Sequence, residues 1–171
     1  MRWVALLRAV NLGGRNKVPM AELRARLEEA GYGNVRTFIA SGNILLDGPR
    51  AGTELAAELE RLIADAFGVE TTAILRTPRQ LAATVAKHPF DDPSETHLAF
   101  LSKRPSAAAT ARLAEVDDGA VVTGADLYLR LPRGVHGSPL SIARIESLLG
   151  VSATLRNWRT VVALAELAAE A

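Results

Sequence analysis

The sequence has no cysteine in 171 residues. This excludes a disulfide framework and all thiolate chemistry, and it fits a reducing compartment, so the cytoplasm is the expected location. Long apolar runs are also missing at the start of the chain. Only five apolar residues separate Arg2 from Arg8, too few for a signal-peptide core or a membrane span, and no membrane association is expected. Histidine occurs three times, at His88, His97 and His136. Without paired-ligand spacing these give no metal site, and nothing else calls for a cofactor. There is no Gly-x-Ser-x-Gly elbow for a serine nucleophile.

Net charge is low, +1, but unevenly spread. Residues 1–46 carry seven Lys/Arg against three Glu, and residues 127–159 five Arg against one Glu. Residues 47–126 carry eight Lys/Arg against thirteen Asp/Glu. Solvated, salt-bridged faces account for such blocks in most proteins; an anion-binding end is the sharper reading.

What is present is a regular succession of elements. The run Trp3 to Leu7 suits a strand buried on both faces. Pro19 suits a first helical position, and Met20, Leu23, Leu27 and Ala30 share one face of a helix that stops at Gly31. Val35 to Ala40 and Ile44 to Asp47 read as a hairpin turning at Ser41-Gly42-Asn43. Leu55, Leu59, Leu62, Ile63 and Ala66 follow helical spacing, with Thr53 as N-cap and Gly68 as terminator. Thr71 to Arg76 reads as a strand. Thr77-Pro78-Arg79-Gln80 then combines an N-cap, a first-turn proline and a capping-box glutamine ahead of a helix to about Lys87. His88 to Glu95, with two prolines and two adjacent aspartates, reads as a linker.

Beyond it the order repeats. His97 to Leu101 reads as a strand and Ser106 to Glu115 as a helix. Ala120 to Thr123 and Asp126 to Leu131 make a hairpin about Gly124. A helix from Pro139 to Leu149, a strand from Ala153 to Arg156 and a last helix opened by Asn157 follow. The expected fold is α+β, a tandem pair of ferredoxin-like βαββαβ units with an inter-unit helix and a C-terminal helix. The units are placed at 1–76 and 97–156, with 77–96 as helix and linker and 157–171 as the final helix, in one compact body. A single continuous sheet is the alternative. No residue-level identity between the halves is apparent, so the repeat is one of pattern.

In a βαββαβ unit the strand order is usually 4-1-3-2, which sets the end of the first strand beside the hairpin turn. That brings Arg8, Asn11, Gly13, Gly14 and Lys17 next to Ser41, Gly42 and Asn43. Glycines that let backbone N–H groups approach a ligand, polar side chains and positive charge make a plausible oxyanion cradle. Equally, the glycines can serve tight turns and Asn43 its own backbone. The loop matches neither a dinucleotide fingerprint nor a P-loop. In the second half the same topology draws Arg133, His136 and Ser138 towards Arg156, Asn157 and Trp158. These can hold a phosphate or carboxylate, or can be an N-cap and core packing. RNA-recognition motifs share the topology but stack bases on aromatics of the central strands. Here those strands offer Ile44, Leu45, Leu46 and, among aromatics, only Trp3, so that mode is disfavoured.

The stretches Leu6-Leu7-Arg8-Ala9-Val10-Asn11-Leu12-Gly13-Gly14, Pro19-Met20, Val35-Arg36-Thr37, Ser41-Gly42-Asn43 and Thr154-Leu155-Arg156-Asn157-Trp158 together resemble the bacterial family of domain of unknown function 1697. The resemblance spans nearly the whole chain. It implies a small, soluble α+β protein with ferredoxin-like units and brings no activity with it. Members commonly have glycine where this chain has Ala9, and a Ser-Lys-Leu-like run where it has Ser138-Pro139-Leu140. The missing lysine weakens any charge-based role for that second loop.

The leading functional expectation is therefore an anion binder, for a phosphorylated metabolite or a nucleic-acid backbone. An enzyme acting on such a ligand and a protein-interaction module are the alternatives. No convincing general base or nucleophile separates the first two, and no protein partner can be named.

Overall fold

The computed structural model describes residues 1–48 and 51–170. They form two compact units, Met1–Leu81 with Glu166–Ala171, and Ala82–Ala165. The architecture is mixed α+β, with two separate four-stranded antiparallel sheets and six α-helices among the described residues. The strands thus form two sheets rather than a single continuous one, since no strand pairing among the described residues joins the two ladders.

The first unit runs β1 (Arg2–Leu7), α1 (Met20–Glu29), β2 (Gly33–Phe38), β3 (Asn43–Asp47), α2 (Gly52–Phe67) and β4 (Ala73–Arg76), in strand order β2-β3-β1-β4. The apolar run of β1 has the composition of a central strand. Trp3, Ala5 and Leu7 pack with Leu23 and Leu27 of α1 and with Leu55, Leu59 and Ile63 of α2. Val4 and Leu6, on the opposite face, are fully buried as well. Burial on both faces removes the need for alternation.

The second unit contains β5 (Thr96–Leu101), α4 (Ala107–Val116), β6 (Val121–Thr123), β7 (Asp126–Arg130), α5 (Ile142–Leu149) and β8 (Ala153–Asn157), in strand order β6-β7-β5-β8. Ala99, Leu101, Leu113, Leu127, Leu129 and Ile145 form its core. Two further helices, α3 (Pro78–Ala86) and α6 (Trp158–Ala169), follow β4 and β8. The capping box of α3 is present in both directions: Gln80 N–H donates to Thr77 Oγ1 at 3.2 Å and Thr77 N–H to Gln80 Oε1 at 2.8 Å. None of the helices among the described residues is long and apolar enough to cross a membrane.

Several boundaries differ from expectation. α1 starts at Met20, with Pro19 in the cap position rather than the first turn. α2 starts at Gly52, with Ala51 rather than Thr53 at the N-cap and no side-chain cap. Gly52 sits against the Trp3 ring, where an added Cβ would lie 3.1 Å from Cη2, so packing rather than a hydroxyl sets this helix start. α5 begins at Ile142, not Pro139, because Ser141 Oγ accepts from Arg144 N–H at 3.2 Å, while Ser138 Oγ closes a turn onto Leu140 N–H at 3.0 Å. β2 stops at Phe38, two residues early, since Ile39 takes φ 52° and leaves the extended region.

The repeat also reaches further than pattern. Glu60 of α2 accepts from Ala73 N–H at 2.9 Å, and Glu146 of α5 from Ala153 N–H at 3.0 Å, tying the last strand of each unit to the helix before it. Leu7 N–H donates to Gly42 O at 2.8 Å as Leu101 N–H does to Ala125 O at 2.9 Å. Arg8 N–H meets Thr72 O as Ser102 N–H meets Ser152 O. The two units thus repeat individual contacts, which corrects the reading of a repeat in pattern alone.

Candidate functional site

At the end of β1 the chain enters a loop built from unusual backbone. Ala9, Asn11, Gly13, Gly14 and Asn16 all have φ between 50° and 80°. Gly13 and Gly14 form the tip of a tight turn closed by Arg15 N–H to Leu12 O at 2.9 Å, and Asn11 N–H donates to Asn16 O at 3.0 Å behind it. Positive φ costs little only for glycine and, less so, asparagine, which is why these two residue types hold these positions, with Ala9 as the exception.

The loop is held against the β2–β3 turn. Asn11 Nδ2 donates to Ala40 O at 2.7 Å and to Val18 O at 3.0 Å, while its Oδ1 accepts from Val18 N–H at 2.8 Å. Both of its amide hydrogens are thus committed. Asn43 is fully buried and donates to Phe38 O at 2.8 Å and Ser41 Oγ at 3.0 Å. Gly42 is buried at φ 91°, where an added Cβ would come within 2.6 Å of Val10 Cγ2. Asn11, Ser41, Gly42 and Asn43 therefore assemble the loop pair; Asn43 and Gly42 offer no surface to a ligand. Arg8 is half-buried, with its carbonyl accepting from Thr71 Oγ1 at 2.6 Å.

Between the two loops lies an open cleft of about 590 Å³. Asn11, Gly14 and Lys17 line one part of it; Val18, Pro19, Met20, Ile39 and Ala40 line the rest. Pro19 and Met20 are the cap and first residue of α1, whose N-terminus has no side-chain cap. The start of α1, whose first-turn N–H groups have no partner inside the helix, and the Lys17 side chain thus border the same cleft. Glu22 in the first turn is exposed and does not line the cleft. Of the residues named from the sequence, Asn11, Gly14 and Lys17 line this cleft; its apolar wall was not named. Its one signal was Pro19-Met20, read as a helix start only.

In the second unit Arg156, Asn157 and Trp158 are taken up by the fold, while Arg133 and His136 are exposed. Asn157 Oδ1 accepts from Thr160 N–H at 2.9 Å as the N-cap of α6. The Trp158 ring lies 4.5 Å from that of His88 and 6.2 Å from that of Tyr128. His88 Nε2 is 2.7 Å from Thr96 Oγ1, so the expected linker begins with a packed, hydrogen-bonded residue. Arg156 is buried and donates to Thr154 Oγ1 at 2.7 Å and Leu155 O at 2.9 Å. Burial lowers its guanidinium pKa to about 10, which still leaves it charged at neutral pH. Among the described residues no group of three or more His, Asp or Glu is placed to hold a metal ion.

A search of curated proteins gives no match. Among solved structures, the chain is similar to one described as a conserved bacterial protein, SP0830, from Streptococcus pneumoniae, with a TM-score of 0.70 and 20% identity over 98% of both chains. At that identity the likeness establishes the fold alone. The family model described as protein of unknown function (DUF1697) matches residues 1–128, and the chain belongs to that family.

Proposed function

We propose that the protein binds a small anionic molecule, such as a phosphorylated metabolite, in the cleft between the Gly13-Gly14 loop and the β2–β3 turn. The observation that carries this reading is the uncapped start of α1 beside Lys17, opening into a cleft of about 590 Å³. That volume lies in the range of small-ligand pockets, which favours a metabolite over a nucleic-acid backbone. A helix start without a side-chain cap and a lysine on the same cleft favour an anion. None of the described lining residues is a carboxylate or histidine, which favours a binder over an enzyme. The units themselves we read as ferredoxin-like sandwiches, supported by the βαββαβ element order and the two matching strand orders.

Thermal-shift measurements with inorganic phosphate, sugar phosphates, nucleotides and short oligonucleotides test the proposal, comparing wild type with Lys17→Ala. A phosphate-bearing small molecule should raise Tm in wild type, and Lys17→Ala should weaken it about ten-fold. No stabilisation by any of them overturns the reading. Stabilisation only by oligonucleotides, falling steeply with salt, would replace it with nucleic-acid binding.

A second reading has one observation in its favour. Leu12 and Ile39 are 59% and 50% exposed, both beside the cleft loops, and exposed apolar side chains also mark protein contacts. A stoichiometric protein partner co-purified from the native host, lost in Leu12→Ser, would favour it.

A further inference from the structure

We infer that the molecule taken by this cleft is an amphiphilic anion, a phosphate or carboxylate head carrying a short alkyl or aryl chain. The inference rests on the anion reading above and adds the chemistry of the remainder of the ligand. Five of the eight lining residues, Val18, Pro19, Met20, Ile39 and Ala40, form an apolar wall continuous with the Lys17 end. A bare phosphate would engage Lys17 and the helix start and leave that wall wet. A chain laid along it would bury the same surface, with affinity rising about two- to four-fold per methylene covered.

Ile39 is the residue that sets this preference. It is β-branched, half exposed and held at φ 52°, a backbone state such side chains avoid. The Asn11 amide fixes the adjacent Ala40 carbonyl at 2.7 Å, so the strained turn is pinned from the loop opposite. In an extended strand the Ile39 side chain would follow the pleat of β2; here it is turned out into the cleft.

The chain has only two methionines, Met1 and Met20. Labelling methionine methyl groups with carbon-13 therefore places a reporter on the apolar wall. Titration with inorganic phosphate, butyl phosphate and hexyl phosphate, all below aggregation, should move the Met20 signal, with hexyl phosphate binding at least ten times tighter than inorganic phosphate. Ile39→Gly removes the Ile39 part of the wall while relieving the backbone, so it should fold. It should bring hexyl phosphate within about three-fold of inorganic phosphate. Equal affinity across the series overturns the amphiphile inference while leaving the anion reading intact. Silence with every phosphate, or indifference to Lys17→Ala, overturns both. Hexanol binding as tightly as hexyl phosphate also overturns both, since the head group would then contribute nothing.

Discussion

Arg76 and Arg156 hold the same position in their two units. Arg76 stands opposite Val4 on β1 and Arg156 opposite Leu98 on β5. Each is buried, and each guanidinium donates to the carbonyl of the leucine before it, at 3.0 and 2.9 Å. Each is followed by a capping residue, Thr77 or Asn157, that starts a helix. The equivalence extends to Arg79 and Arg159 in the first turns, so Leu-Arg-cap-x-Arg is repeated at 75–79 and 155–159. A buried cation at a strand end just before a capped helix is thus a built part of both units.

Arg156→Ala should destabilise the protein by about 2–3 kcal/mol, because it removes a packed alkyl stem and the guanidinium's hydrogen bonds to Thr154 Oγ1 and Leu155 O. Arg156→Met keeps the stem and removes the buried charge, so it should cost about 1 kcal/mol less. Urea midpoints for the two variants decide the matter. Equal losses would assign the whole effect to the guanidinium contacts.

The glycines of the two loops should separate cleanly. Gly42→Ala puts a methyl group 2.6 Å from Val10 Cγ2 and 2.8 Å from Leu7 Cβ, at φ 91°. Neither neighbour is the free end of a long side chain, and a loss of about 3 kcal/mol or more is expected. Gly13→Ala meets nothing within 4 Å and pays only for its φ of 55°, about 1–2 kcal/mol. Calorimetric Tm values should fall clearly further for the first variant. A Gly13 variant as damaging as that of Gly42 would mean that the loop tip packs more closely than its open surroundings indicate.

Ala9→Gly should stabilise. Ala9 sits at φ 57°, which costs a non-glycine residue about 1–2 kcal/mol, while glycine gives back about 0.5–1 kcal/mol in chain entropy. A net gain of about 0.5–1 kcal/mol is expected, read as a rise in Tm of about 1–4 °C. The hydrogen bond from Asn16 Nδ2 to the Ala9 carbonyl, at 2.9 Å, uses only backbone at position 9 and should survive. A fall in Tm would show that the entropy cost outweighs the strain.

How much of this was legible depended on the range of the cause. The apolar run of β1, the Thr77/Gln80 capping box and the Gly68 terminator act within a few residues, and the sequence displays them. Ile39 read as strand because β-branched residues favour strands. Its left-handed backbone belongs to a turn pinned by Asn11, 28 residues earlier, which no local pattern records. Asn11 and Asn43 have the chemistry of ligand amides, and only their bonds to Val18, Ala40 and Phe38 reveal them as staples. The repeated Glu60–Ala73 and Glu146–Ala153 contacts were hidden because their spacings differ, 13 residues against 7.

Stability should also carry a histidine signature that sets in below about pH 7. His97 lies on β5 opposite Leu129 and Asn157, with Nδ1 buried and without a hydrogen-bond partner among the described residues. Burial lowers its pKa below the ordinary 6.5, so the folded state favours neutral imidazole. Between the lowered value and 6.5 the unfolded chain binds more protons than the folded one, and stability rises with pH across that window. It should be fully present above about pH 7 and decline as pH falls through 6.5 towards the folded pKa. Asp47, whose carboxylate accepts from Asn34 and Arg2, and Asp92, which accepts from Ser94 N–H, are both held below 3.8 and add a separate loss at more acid pH, with the same sign. His97→Gln, neutral at every pH, should flatten the upper limb and leave the acid limb in place. Urea midpoints from pH 8 to pH 3 separate the two. An unchanged slope just below pH 7 in that variant would rule out His97 as its source and move the cause to another group titrating in that range.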